Sequence, residues 1–157
     1  MKVVLTRRNS AVHFEAVTES GARLDIDGAP AIGGLGLGAR PMEVVLSALG
    51  GCSSMDVVSI LEKQRATIGA MQVTVSGERV PDAVPSLFRT VHVHFDVTTD
   101  AGDAKVARAV ALSMETYCTV TRIVEKTATV TFSHTTHASP ARTGEVPGDE
   151  PTGSTGS

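Results

Sequence analysis

Apolar and polar positions near the start of the chain fall into three short stretches. Residues 2–6 and 11–17 are rich in Val, Leu and Phe and are parted by the turn-forming Asn9-Ser10, while residues 22–27 alternate strictly. A period of two puts successive side chains on opposite faces of a strand, so these stretches predict an antiparallel meander. Residues 28–40 hold five glycines and Pro30 and keep no period, which predicts a loop.

At Pro41 the pattern becomes helical and runs to Lys63. Proline suits a first helical position because its φ is fixed and its missing N–H would be unpaired there anyway. Between Val44 and Cys52 nearly every residue is apolar or small. A helix without a polar face is buried in a core or an interface. Charge enters at Asp56 and gathers at Glu62, Lys63 and Arg65. Gly50-Gly51 costs the helix about 1 kcal/mol per residue relative to alanine, so another backbone is expected to approach closely there.

The second half predicts a strand over 71–80, a turn around Pro81 and Pro85, and a strongly alternating strand over 89–98. Asp103 is a candidate cap for a helix to about Tyr117, with Val106, Ala109, Val110 and Met114 recurring at three and four. Cys118 opens a short helix to Val124, and 127–133 is the last strand. From residue 138 onward Pro, Gly, Ser, Thr and acids follow no period and predict a disordered tail, leaving one domain over 1–137. The resulting order of strands and helices is α+β, with antiparallel sheets around a long buried helix, and not a βαβ alternation.

A chain of 157 residues can bury one sizeable core. With four Phe, one Tyr and no Trp, that core is aliphatic, and a base-stacking platform for nucleic acid is not expected. The net charge of −3, without a basic block, lacks the electrostatic footprint of a nucleic-acid binder. No apolar run is read as approaching the ~18 residues of a membrane span. Arg7-Arg8 is not followed by the apolar segment of a secretory signal. A cytoplasmic protein is therefore expected, whose two cysteines are thiols or a transient redox pair rather than a structural bridge.

Cys52 lies midway along the apolar helix and Cys118 at the start of a later one, so only the fold can bring them together. A thiolate is favoured by a cation or a helix N-terminus. Cys118 meets the second condition, and Arg122 one turn on can supply the first. Both cysteines can equally be small buried hydrophobes.

The run Pro41-Met-Glu-Val-Val-Leu-Ser-Ala-Leu-Gly-Gly-Cys52, followed far downstream by Tyr117-Cys118, resembles the two cysteine motifs of the OsmC/Ohr family. The order of elements agrees from residue 2 to about 134. The resemblance implies an intertwined homodimer and thiol-dependent reduction of organic or inorganic hydroperoxides in oxidative-stress defence. It implies Cys52 as the attacking thiolate, Cys118 as the resolving one, and an external dithiol reductant. It assigns the supporting acid to Glu43, because the residue directly after the motif proline is Met42. It assigns an activating arginine to the N-terminal strands, with Arg8 chosen over Arg7 and Arg23. Thr119-Val-Thr stands where organic-hydroperoxide members carry Pro-Tyr-Ser.

No cofactor or metal is expected. His92 and His94, two apart on one strand face, form a candidate metal pair without a third ligand. Gly34, Gly36 and Gly38 match a dinucleotide fingerprint in letters, without the βαβ context it requires. No Gly-x-Ser-x-Gly elbow points to a hydrolase. Asp56 is read as part of the helix's polar face. The alternative function is an OsmC-fold dimer that binds an apolar small molecule in a pocket of Met42, Met55, Met114 and Leu49.

Overall fold

The structure is a computed structural model and describes residues 1–139. Three strands, β1 (Val3–Arg7), β2 (Phe14–Thr18) and β3 (Arg23–Ile26), form an antiparallel sheet in chain order. β2 begins later than the apolar run because Asn9 Oδ1 accepts the amides of Ala11 and His13 and holds residues 9–13 in a turn. Only Ala16 is buried in these strands, and Val3, Val4, Leu5 and Leu24 are exposed.

The loop that follows contains a 3₁₀ turn, Pro30–Ile32, and rejoins the sheet through an Ile26–Ala39 bridge. Its organiser is Asp27, only 1% exposed. Asp27 Oδ1 accepts the Gly28 amide, and Oδ2 accepts those of Leu35 and Leu37 at 2.8 and 3.0 Å. The Leu37 bond is the largest influence holding this carboxyl below its ordinary pKa, with Leu35, Gly28 and His13 acting the same way against the opposing effect of burial.

Helix α1 (Pro41–Lys63) starts with Pro41 at its first turn. Glu43 reaches back to accept the Arg40 amide at 2.8 Å, satisfying a donor the helix leaves unpaired. Leu49, Gly50, Ser53, Val57 and Leu61 form its buried stripe. The expectation that no segment reaches spanning length is corrected here. α1 has 23 residues, and its most apolar window has a mean hydropathy of 1.7, enough to cross a membrane by length and composition. Its serines and glycines interrupt the run to the eye but carry little hydropathic penalty. The buried stripe packs it as a core helix against a sheet.

That sheet comprises β4 (Ile68–Arg79), β5 (Phe88–Thr99) and β6 (Thr129–Ala138), with β5 in the centre. Phe88, Val91, Val93, Phe95 and Val97 face the helices and share the core with Leu49, Leu61, Val106, Val110 and Met114. β4 and β5 are antiparallel, whereas β5 and β6 are parallel. Alternation along a strand does not encode the direction of its neighbour. Here the helices between β5 and β6 carry the chain back across the buried face, so the last strand enters in the same sense as the central one. β6 also runs five residues beyond the expected end, because parallel pairing continues to Thr99–Ala138.

Between those strands lie α2 (Asp103–Leu112), a π turn (Ser113–Tyr117) and α3 (Thr119–Val124). Gly102, not Asp103, occupies the cap position. The Asp103 carboxylate instead bonds His134 and Thr136 of β6, at 3.1 and 2.8 Å. Ala138, placed in the tail from sequence, ends β6; the tail from residue 140 lies outside the described residues.

Candidate thiol site

Cys52 and Asp56 are four residues apart on α1 and therefore share a face. Ahead of α3 the π turn makes the Cys118 amide donate to Ser113 O at 2.8 Å. π turns of this kind recur at functional sites. The freed Met114 carbonyl takes the Arg122 guanidinium at 2.5 Å. Cys118 then caps α3, its Sγ accepting the Thr121 amide at 3.4 Å.

The two sulfurs and an Asp56 carboxylate oxygen all lie within 4.8 Å of one another. Cys52 is half-buried and Cys118 is fully buried, both as free thiols. Burial is the largest influence on Cys118 and pushes its thiol above the ordinary value; the bonds from Thr121 act the other way, and nearby Cys52 raises it further. The Ser113 hydroxyl sits 3.2 Å from Asp56 Oδ2 and 3.1 Å from Ser53 O, tying the π turn to α1.

Asp56 is thus a member of the cluster and not merely a polar face of α1, which corrects the sequence reading. The signal for it was its spacing of four from Cys52. Arg122 does not serve Cys118 as anticipated: its guanidinium bonds Met114 O and Glu125, the latter at 3.1 Å. Glu43 is nine residues before Cys52, about 13 Å along the axis at 1.5 Å per residue, and works as a helix cap within its own chain. Of the N-terminal arginines, Arg7 bonds the Ser10 and Ala11 carbonyls and Arg23 pairs with Glu15 at 2.9 Å. Arg8 alone of the three has no side-chain partner among the described residues.

His92 and His94 share the open face of β5, as the spacing predicts. Their rings bond hydroxyls of β6: His92 with Thr131 and Ser133, and His94 with Ser133, each at 2.8 Å. The glycine-rich segment is the loop organised by Asp27 and opens no βαβ unit.

The profile of the OsmC-like protein family matches residues 34–133 of this sequence, a span that includes both cysteines and the connecting elements. The chain belongs to the OsmC-like family. Over 95 residues it is 50% identical to protein YhfA of Escherichia coli K12, an alignment covering 60% of this chain and 70% of that one. Among solved structures, a hypothetical protein from Aquifex aeolicus VF5 superposes with a TM-score of 0.77 at 24% identity, covering 88% of this chain and 97% of that one. The organic hydroperoxide resistance protein OhrB of Bacillus subtilis superposes with a TM-score of 0.58 at 19% identity, covering 85% and 96%. At those identities the likeness is one of fold. The OsmC-like chain described here shares that architecture of two small sheets and a central helix, with two neighbouring cysteines whose proximity is consistent with a redox role.

Proposed function

We propose that this OsmC-like protein is a cytoplasmic thiol-dependent hydroperoxide reductase acting in oxidative-stress defence. The observation that carries the reading is the unequal pair of thiols: Cys52 half-buried, and Cys118 fully buried within 4.8 Å of the Cys52–Asp56 face. The Cys52 thiolate attacks the terminal peroxide oxygen. The O–O bond breaks, the alkoxide takes a proton and leaves as alcohol (or water), and Cys52 becomes a sulfenic acid. Cys118 attacks that sulfur, forming the disulfide and releasing water. A dithiol then returns two electrons by exchange and restores both thiols. A disulfide needs its sulfurs at about 2.05 Å, so the pair closes through a small approach of α3 toward α1.

A homodimer belongs to the same reading. α1 exposes Val45 and Met55, and the first sheet buries only Ala16, whereas a three-stranded sheet needs an apolar face to pack on. In that assembly a second copy covers these surfaces, and Arg8 and Glu43 serve a site completed between copies.

The test is to titrate the reduced protein with cumene hydroperoxide and hydrogen peroxide, count thiols and map the product by mass spectrometry. The expected result is loss of two thiols per chain with a Cys52–Cys118 link. Cys52→Ser should abolish peroxide consumption, and Cys118→Ser should stop the oxidation at a sulfenic acid. Slow, separate oxidation of the two thiols would sink the proposal.

A second reading, as a binding module for an apolar molecule, is favoured by one cleft of about 890 Å³ between the first sheet and the start of α1. Leu5, Val12, Phe14, Met42 and Phe88 line it, with Arg40 and Arg79 among its charged groups. It differs from the pocket anticipated from sequence: Leu49 and Met114 are core residues, Met55 is 74% exposed, and only Met42 reaches the cleft.

A further inference from the structure

Asp56 takes no part in the thiol cycle, yet its carboxylate oxygen is one of three donors within 4.8 Å of one another. It is half-buried and has no cationic side-chain partner among the described residues. It accepts a hydrogen bond from the Ser113 hydroxyl, 3.2 Å away and itself buried. A carboxylate partly removed from water and facing two sulfur atoms is best compensated by a positive charge placed between them. The donor set, two soft thiols and one carboxylate, suits a borderline-soft divalent ion. The ligands also come from two elements packed on one another, α1 and the N-terminus of α3, tied together by Ser113.

We propose that the reduced protein binds one thiophilic divalent cation of the zinc class through Cys52 Sγ, Cys118 Sγ and an Asp56 carboxylate oxygen. Zinc–sulfur bonds of about 2.3 Å in a tetrahedron put two sulfurs roughly 3.7 Å apart. The cluster therefore needs to contract by no more than about 1 Å. Three protein ligands leave the fourth position open to water or another small donor. Each thiol coordinates as thiolate and gives its proton to solvent, so binding releases protons and tightens as pH rises. Ser113 supports the site from behind, orienting the Asp56 carboxylate. The bound ion holds both sulfurs as ligands, so cation binding and the Cys52–Cys118 disulfide exclude one another.

The inference shares with the peroxidase reading only the proximity of two reduced thiols. The experiment is a titration of the reduced, metal-free full-length chain with Cd²⁺, followed by the ultraviolet thiolate-to-cadmium absorption, and with Zn²⁺ by calorimetry. One ion per chain with that absorption is expected, and none after oxidation to the disulfide. Asp56→Asn should weaken binding by more than about tenfold, and Ser113→Ala by about tenfold, the usual effect of removing a group that orients a ligand. Circular dichroism confirms that each variant is folded, and Ser113→Ala decides the matter if Asp56→Asn is not. No saturable binding, or equal affinity in the folded variants, overturns the proposal. Peroxide consumption is measured separately on the metal-free protein. A chain that consumes peroxide but takes no Cd²⁺ refutes this inference alone, and one that takes Cd²⁺ but leaves peroxide untouched refutes only the peroxidase reading.

Discussion

At the residue scale, Asp27 and Asp56 show how little a carboxylate's sequence context says about its use. Asp27 ends an alternating run and reads as one more outward polar position, but it is buried under the amides of Gly28, Leu35 and Leu37. Those donors favour the ionised form and lower its pKa. A carboxyl with a depressed folded-state pKa contributes stability that is present above its unfolded pKa of about 3.9 and is lost as pH falls through the lower folded value. Asp27→Ala should therefore free the Leu35 and Leu37 amides to fast hydrogen exchange at neutral pH. The unmutated protein should show the same loosening only below about pH 3.9. Unchanged protection in Asp27→Ala would mean that the loop is held by something else. Asp56 was legible only through its spacing from Cys52; that it faces Cys118 as well depends on where α3 lies.

At the scale of elements, α1 concentrates the information. Proline at its start, its length and its lack of a polar face are all local properties, and all three are seen in the fold. The glycine pair is more instructive because its members differ. A Cβ on Gly50 would meet Val75 Cγ2 of β4 at 2.9 Å, so what lies close is a side chain of the chain's own sheet and not the backbone expected there. A Cβ on Gly51 would meet nothing within 4 Å. Gly50→Ala gains about 1 kcal/mol of helix propensity but overpacks against a stiff valine at about 1–3 kcal/mol. Thermal unfolding should show a net loss of about 1 kcal/mol, near 4 °C for a domain of this size. Gly51→Ala carries only the gain within its own chain, so any loss in that variant reports a second copy packed on the helix. The parallel entry of β6 and the π turn before Cys118 were not legible, because both arise from how the chain returns across the core.

At the scale of the whole molecule, the first sheet, the glycine-rich loop and α1 all leave large apolar side chains exposed. Val3, Val4, Leu5, Leu24, Leu35, Leu37 and Met55 are all exposed, and the proposed dimer would cover part of this surface. Sedimentation equilibrium should find a dimer. Met55→Asp, a charge placed on the open face of α1, should shift it to monomer at the same concentration while leaving the far-ultraviolet circular dichroism unchanged. A monomeric unmutated protein would remove the case for a site shared between copies, and with it any role for Arg8 and Glu43 beside the thiols.

The sequence by itself determined the elements, the α+β class, the aliphatic core and the two cysteine motifs that carry the family. These are short-range properties: period, caps, breakers and local composition. Only the tertiary structure decided that Cys118 comes to Cys52, that Asp56 joins them, and that Arg122 turns away to the Met114 carbonyl the π turn frees. Each of these depends on the packing of α3 and the π turn against α1. Such contacts join residues up to sixty-six positions apart, over which no periodicity in the chain carries information.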